Sequence, residues 1–167
     1  IQKGKKRDVV SVLSKLGFMF VFDRVTGKPV FPIEEREFPA SDVIGEKTSK
    51  TQPIPLWPLP FVKQSFTEKD VNAWASNKEE IIAELRKSQT GQHFIPLSLT
   101  KKTIFFPATD GGAQWGGAAV DENSVMYIPA KQNPVYISLV PLEKTIENSG
   151  KSLYVQHCQS CHGINRE

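Results

Sequence analysis

The 167-residue chain has no long apolar run, only two cysteines and only three histidines. No stretch approaches the ~18 apolar residues that a membrane-spanning helix needs, so none is predicted. Residues 1–7 are basic but are not followed by an apolar segment, so no signal peptide is predicted there. The net charge of +3 is small, and the basic cluster is interpreted as a solvated terminus. Nothing in the composition favours nucleic-acid binding.

The two cysteines lie in Cys158-Gln159-Ser160-Cys161-His162, the attachment pattern of a c-type haem. Cys158 and Cys161 would bond the porphyrin vinyl groups, and His162 would ligate the iron. A redox disulfide or half of a zinc site is the alternative, but zinc needs four ligands and only two other histidines exist. The sequence ends at Glu167, too soon for a cytochrome fold. We therefore expect a piece of a longer protein and no haem on this chain.

Short β-branched and aromatic runs, broken by glycine and proline, predict a mainly β structure, either a sandwich or a propeller. The proline-rich segment 34–66 is predicted to be extended and without regular pairing. Helical signals follow at 67–90: Thr67 and Asp70 form a cap, Val71 and Trp74 share one face, and Asn77 caps a second helix. A last helix is predicted at 150–157. Strands are predicted at 9–13, 18–22, 30–33, 94–97, 103–107, 117–121, 125–129 and 135–140.

The segment from Val21 to Phe31, VFDRVTGKPVF, resembles the Ala-x-Asp-x-x-Thr-Gly-Lys-x-x-Trp repeat of pyrroloquinoline quinone (PQQ) dehydrogenases, which are eight-bladed β-propellers. It departs at both ends, with Val21 for alanine and Phe31 for tryptophan, so docking by an indole is lost here. Lys50, in Ser49-Lys50-Thr51-Gln52-Pro53, lies 27 positions after Asp23, a separation similar to that of the glucose dehydrogenase branch. Residues 94–115 and 125–130 resemble the same branch.

The resemblance implies that residues 1–141 form about two blades of a partial propeller, with a helical insertion at about 67–90. Residues 142–167 would be a linker and the first helix of a cytochrome c domain. A pair of blades leaves unpaired strand edges, so strand-edge self-association is expected. His93 and His157 are interpreted as packing or solvent histidines. Residues 158–167 are expected to be exposed and mobile.

The resemblance also implies a periplasmic enzyme that oxidises a sugar or alcohol by hydride transfer to PQQ. Asp23 would be the catalytic base beside a Ca²⁺ or Mg²⁺ ion, while Lys50 and Trp115 would contact the PQQ. Electrons would pass to the haem and then to a quinone or cytochrome acceptor. Three simpler interpretations stay open, in which Asp23 bonds only its own turn, Lys50 is a surface lysine and Trp115 is a packing residue. The rival function is a non-catalytic electron-transfer module.

Overall fold

A computed structural model describes residues 6–91, 93–113, 116–140 and 149–163. Its described strands form four separate antiparallel pairs, namely β1–β2, β3–β4, β5–β8 and β6–β7. The helices are short, so the mainly β prediction agrees with the observed architecture. No helix in the described ranges is long and apolar enough to cross a membrane. The bounds are β1 Val9–Leu13, β2 Met19–Asp23, β3 Ile33–Glu37, β4 Thr51–Pro55, α1 Lys78–Lys87, β5 Thr103–Phe105, β6 Ala119–Val120, β7 Met126–Tyr127, β8 Val135–Ile137, α2 Gly150–His157 and α3 Gln159–His162.

The predicted first hairpin is confirmed. Strand β1 pairs with β2 in a register that runs from Val9 opposite Asp23 to Leu13 opposite Met19. Its turn needs Gly17, which adopts a φ of +84°, a conformation that glycine reaches without steric cost. Within the described residues, β1 pairs with β2 alone, so its second edge carries no partner strand. That observation agrees with the expected free edges, while self-association itself stays a prediction.

The prediction for residues 34–66 is wrong in part, because β3 and β4 form a regular antiparallel pair inside this segment. Prolines 53 and 55 do not prevent it. The amide of Leu56 donates to Pro32, and the carbonyl of Lys50 accepts from Phe38. The backbone hydrogen-bonding groups of residues 50 and 56 therefore point toward β3. Residues 53 and 55 lie an odd number of positions from them, so their backbone groups point away from β3. A proline on the outward side of an edge strand removes no ladder hydrogen bond. Of the strand predicted at 30–33, only the last residue is part of a strand, because β3 begins at Ile33.

Residues 67–90 contain helical structure as predicted, although Asn77, at the N-cap of α1, makes no side-chain capping hydrogen bond. The Asp70 carboxylate accepts from the amide and hydroxyl of Thr67, both at 2.8 Å, and caps a single 3₁₀ turn. Helix α1 then buries Leu85 against Val71 and Ile104 in a small core. Trp74, however, is 93% exposed, so it does not share the buried face of Val71. The two residues lie in a turn rather than a helix, and helical spacing therefore does not apply to them.

The later strands are fewer and shorter than predicted. Residues 94–97 form no strand, because Phe94 has a φ of +61° and Pro96 has no amide hydrogen to donate. Strand β5 pairs with the distant β8, with Thr103 opposite Ile137. Strands β6 and β7 form a two-residue ladder, shorter at both ends than the sequence indicated. Helix α2 has the predicted bounds. The predicted boundary at 141/142 falls outside the described residues.

Candidate functional site

Asp23 ends β2 and has both carboxylate oxygens engaged. Its Oδ1 accepts from the Val25 amide at 3.1 Å, the Thr26 amide at 2.8 Å and the Thr26 hydroxyl at 2.9 Å. Its Oδ2 forms an ion pair with Arg7 Nε at 2.9 Å. The Thr26 amide first, and then the Arg7 guanidinium, hold the pKa of Asp23 far below its ordinary value. The geometry shows a turn-stabilising carboxylate, and its role as a base stays a prediction.

Lys50 is exposed and lies immediately before β4. Its backbone carbonyl accepts from the Phe38 amide at 3.0 Å, which fixes the main chain but leaves the side chain on the surface. No ion pair joins its ammonium to Asp23 in the described part of the chain. Asp23 ends β2, which pairs with β1, whereas Lys50 precedes β4, which pairs with β3. Trp115 lies outside the described residues. Convergence of these three side chains therefore stays a prediction.

The glycine-rich loop that leads toward position 115 packs directly on the β1–β2 turn. The Gly112 amide donates to the Lys15 carbonyl, and Lys15 Nζ donates to the Thr109 carbonyl at 3.3 Å. A Cβ on Gly111 would lie 2.6 Å from Lys15 Cβ, and one on Gly112 would lie 3.1 Å from both methyl groups of Val62. Only residues without a side chain allow this approach. The surface that this loop approaches is therefore the hairpin turn.

The cysteine motif is helical. Cys158 precedes α3, and its carbonyl accepts from the amides of Cys161 and His162 at 3.1 and 2.9 Å. Positions i, i+3 and i+4 of a helix share one face, so both thiols and the imidazole lie on the same side. Both thiols are free, Cys158 half-buried and Cys161 exposed. The Tyr154 hydroxyl donates to the carbonyls of His162 and Gly163 at 3.0 and 2.7 Å, which ties α2 to the end of α3. Residues 160–163 are exposed as expected, whereas Cys158 and Gln159 are half-buried and residues 164–167 lie outside the described part of the chain. The expected mobility stays a prediction.

Zinc coordination gains no support from the described residues, among which no group of three or more His, Cys, Asp or Glu side chains is placed to hold a metal ion. His157 is exposed and lies at the end of α2. His93 lies in a different part of the chain and is buried. Its interpretation as a packing residue is confirmed, since its ring meets Phe18 edge-on at 5.6 Å.

The environment of His93 is a feature that sequence reasoning missed. The imidazole is only 8% exposed and forms part of the wall of a cavity of about 410 Å³. Its Nε2 is the one buried side-chain nitrogen or oxygen in the described part of the chain that lacks a hydrogen-bond partner. No motif surrounds His93 in the sequence, so nothing local signals this position. A second, open groove of about 1200 Å³ runs between β1 and the β6–β7 pair.

Comparisons with known proteins cover almost the whole chain. A model of the PQQ family, described as glucose/ethanol/alcohol dehydrogenase, beta-propeller domain, matches residues 1–163. The glycerol dehydrogenase large subunit of Gluconobacter oxydans is 32% identical over 157 residues, which are 87% of this chain and 20% of that protein. The quinoprotein glucose dehydrogenase of the same organism is 30% identical over 156 residues, 86% of this chain and 19% of that protein.

A third relative is the quinate/shikimate dehydrogenase (quinone) of Acinetobacter baylyi, 27% identical over 143 residues, 84% of this chain and 17% of that protein. The chain thus spans about a fifth of the length of the curated relatives it matches. No solved structure matches it. The predicted partial β-propeller is confirmed by the family match and agrees with the separate strand pairs. The chain therefore belongs to the PQQ family, within the β-propeller domain of the glucose, ethanol and alcohol dehydrogenases.

Proposed function

We propose that this chain is a section of a PQQ-dependent dehydrogenase that oxidises an alcohol group of a sugar, polyol or related hydroxy compound. The family match over residues 1–163 carries this proposal. The relatives are named as glycerol, glucose and quinate/shikimate dehydrogenases, which share alcohol oxidation and differ in substrate. The described residues of this section form four separate strand pairs, which do not close a ring around a cofactor, so we expect the chain by itself to be inactive.

PQQ, when bound, supplies the acceptor for the hydride of the substrate. The ammonium of Lys50 is exposed, which fits a role beside the carbonyl oxygens of PQQ. A cation there would compensate the negative charge that develops on PQQ during its reduction. We propose Trp115 as a flat contact to the same group, because its loop packs closely on the hairpin turn at Gly111 and Gly112. Both roles are extended from the resemblance, and turnover of the full-length protein with PQQ tests them.

Asp23 would remove the substrate hydroxyl proton at Oδ2. This role requires the Arg7 ion pair to open, because that oxygen is engaged at 2.9 Å and the pKa of the carboxyl is lowered. A Ca²⁺ or Mg²⁺ ion at Asp23 would need the same opening, since cations and guanidinium compete for one oxygen. The fit of Asp23 to either role thus depends on a rearrangement near Arg7.

We further propose that Cys158, Cys161 and His162 hold a c-type haem in the longer protein. The two free thiols and the imidazole on one helical face fit this attachment. The haem would carry electrons toward a quinone or a cytochrome. Because c-type haem is attached outside the bacterial cytoplasm, we place the protein in the periplasm. Recovery of the activity in the osmotic-shock fraction, rather than with the cytoplasm, would support this location.

The test is an assay of the full-length protein with PQQ, Ca²⁺ or Mg²⁺ and a panel of sugars, polyols and hydroxy acids. We expect dye reduction that depends on PQQ. The rival function is a non-catalytic electron-transfer module, with which the cysteine motif is also compatible. That rival predicts a haem absorption band but no PQQ-dependent dye reduction with any substrate.

Asp23→Asn tests the proposed base, and Asp8→Asn is its matched control, because Asp8 pairs with Arg24 at 2.7 Å in the same hairpin. Loss of a general base lowers turnover by about 10²–10⁴-fold, so we expect such a fall for Asp23→Asn with PQQ affinity retained. Asp8→Asn should keep turnover within about twofold. Equal turnover in the two variants would mean that Asp23 only stabilises its turn.

A further inference from the structure

The cysteine motif at 158–162 lies at the junction of two helices that are too short to be stable by themselves. Helix α2 has eight residues and α3 has four, whereas isolated helices shorter than about 12–15 residues are marginal in water. The start of α2 is capped, because the Ser149 hydroxyl oxygen accepts from the Ser152 amide at 3.2 Å. At the end of α3, as at any helix end, the last carbonyl groups have no later helical amide from which to accept. That end therefore needs a donor from elsewhere.

Tyr154, a half-buried residue of α2, contacts the motif at both of its ends. Its main-chain carbonyl accepts from the Cys158 amide at 2.9 Å. Its hydroxyl donates to the carbonyls of His162 and Gly163, at 3.0 and 2.7 Å. A hydroxyl carries one hydrogen, so the two carbonyls share it. One residue thus joins the first and the last residue of the motif and supplies the donor that the end of α3 needs.

The direction of the His162 side chain depends on this end of α3. His162 is exposed, so the main chain rather than a surrounding core sets the direction of its Cα–Cβ bond. The chain leaves the helix at Gly163, which has a φ of +69°. Helix ends fray, and fraying here would release His162 from the Cys158 carbonyl, from which its amide is 2.9 Å away. The Tyr154 hydroxyl opposes that fraying and keeps the imidazole on the side of the two thiols.

We propose that Tyr154 is a positioning residue for His162, with its hydroxyl fixing the main chain that carries the iron ligand. The proposal rests on the proposed haem attachment and adds to it a residue outside the motif. A ligand that is already held in its bound direction loses less conformational entropy when it binds. The hydroxyl should therefore favour ligation of the iron by the imidazole. It should matter little to bond formation by the thiols, since Cys158 and Cys161 remain in place without it.

Carbon-13 NMR of this chain, with both thiols kept reduced, measures the contact directly. Tyr154→Phe removes the hydroxyl and keeps the ring. A hydrogen bond moves the resonance of a carbonyl carbon downfield, so we expect those of His162 and Gly163 to move upfield in this variant. Tyr127→Phe is the matched control, because the Tyr127 hydroxyl is exposed and donates to Asp121 at 3.2 Å in the β6–β7 pair. No upfield shift in Tyr154→Phe, or an equal shift in the control, would overturn the proposal.

The full-length protein tests the consequence for the iron. Tyr154→Phe should keep covalently attached haem within about twofold of the unchanged protein, because both thiols are retained. Electron paramagnetic resonance of the ferric haem then reports whether the imidazole is bound, since its loss converts low-spin iron to high-spin iron. We expect at least threefold more high-spin haem in Tyr154→Phe than in the unchanged protein, and no increase in Tyr127→Phe. His162→Ala, which removes the ligand, gives the upper limit of this change.

The same preparations separate this proposal from the haem proposal. If the unchanged full-length protein carries no haem, the haem proposal fails, and the role of Tyr154 toward the iron fails with it. If haem is attached and Tyr154→Phe contains no more high-spin haem than the unchanged protein, the positioning proposal alone fails. Attached haem with the expected rise in high-spin iron, together with the upfield carbonyl shifts, would support both.

Discussion

Gly17→Ala is the sharpest test of how the hairpin turn packs. An added Cβ would lie 2.0 Å from Val62 Cγ2, well inside van der Waals contact. The φ of +84° is a second obstacle, since a left-handed conformation costs a residue with a side chain about 1–2 kcal/mol. Overpacking a filled site costs about 1–3 kcal/mol more, because Val62 is only 4% exposed and has little room to move. We therefore expect a loss of about 2–5 kcal/mol in the free energy of unfolding.

Gly27→Ala is the matched control. Gly27 also has a positive φ, +68°, but a Cβ there meets no atom within 4 Å. Gly27→Ala should lower the free energy of unfolding only by the cost of the left-handed backbone conformation, about 1–2 kcal/mol. The difference between the two variants, measured by urea unfolding, isolates the contact with Val62. Placing Val62→Ala in the Gly17→Ala background removes the clashing methyl group and should show a favourable coupling of about 1–3 kcal/mol.

Two results would refute the packing argument. Gly17→Ala could cost no more than Gly27→Ala, or the coupling with Val62→Ala could be zero within error. Either would mean that the turn does not rest on Val62. The consequence reaches the candidate site, because the Val62 methyl groups also occupy the space that a Cβ on Gly112 would need, in the loop that leads toward Trp115. A loosened turn should therefore lower PQQ affinity in the full-length protein as well.

Three further predictions concern stability and reactivity. Leu85→Ala should cost about 2–5 kcal/mol by urea unfolding, because Leu85 is 4% exposed in the core beside α1, and a loss under 1 kcal/mol would contradict that core. Burial lowers the pKa of His93, so on acidification the unfolded chain binds a proton at this residue before the folded chain does. The free energy of unfolding should therefore fall as the pH drops below about 6.5. His93→Leu should flatten that decline, and an unchanged pH profile would argue against burial. Iodoacetamide should label exposed Cys161 faster than half-buried Cys158 in the folded chain, as mass spectrometry can measure, and the reverse order would contradict the α3 geometry.

Local patterns predicted what depends on neighbours in sequence. The β1–β2 hairpin, the cap between Thr67 and Asp70, and helix α2 each draw their hydrogen bonds from residues close along the chain. Such elements follow from residue type and spacing, since propensity, capping and turn chemistry act locally. The cysteine motif at 158–162 is of the same kind, because its one-sided arrangement needs only a single helical turn.

Tertiary structure decided everything that joins distant segments. Proline content argued against pairing in residues 34–66, yet β3 pairs with β4 because both prolines face away from the partner strand. Burial of His93 depends on the hairpin turn, through the contact with Phe18, 75 positions earlier. The engagement of Asp23 by Arg7 likewise depends on the strand register rather than on the turn motif alone. A sequence pattern determines which local structures a segment can adopt. The segment packed against it determines which of them forms, because burial and pairing are properties of both surfaces together.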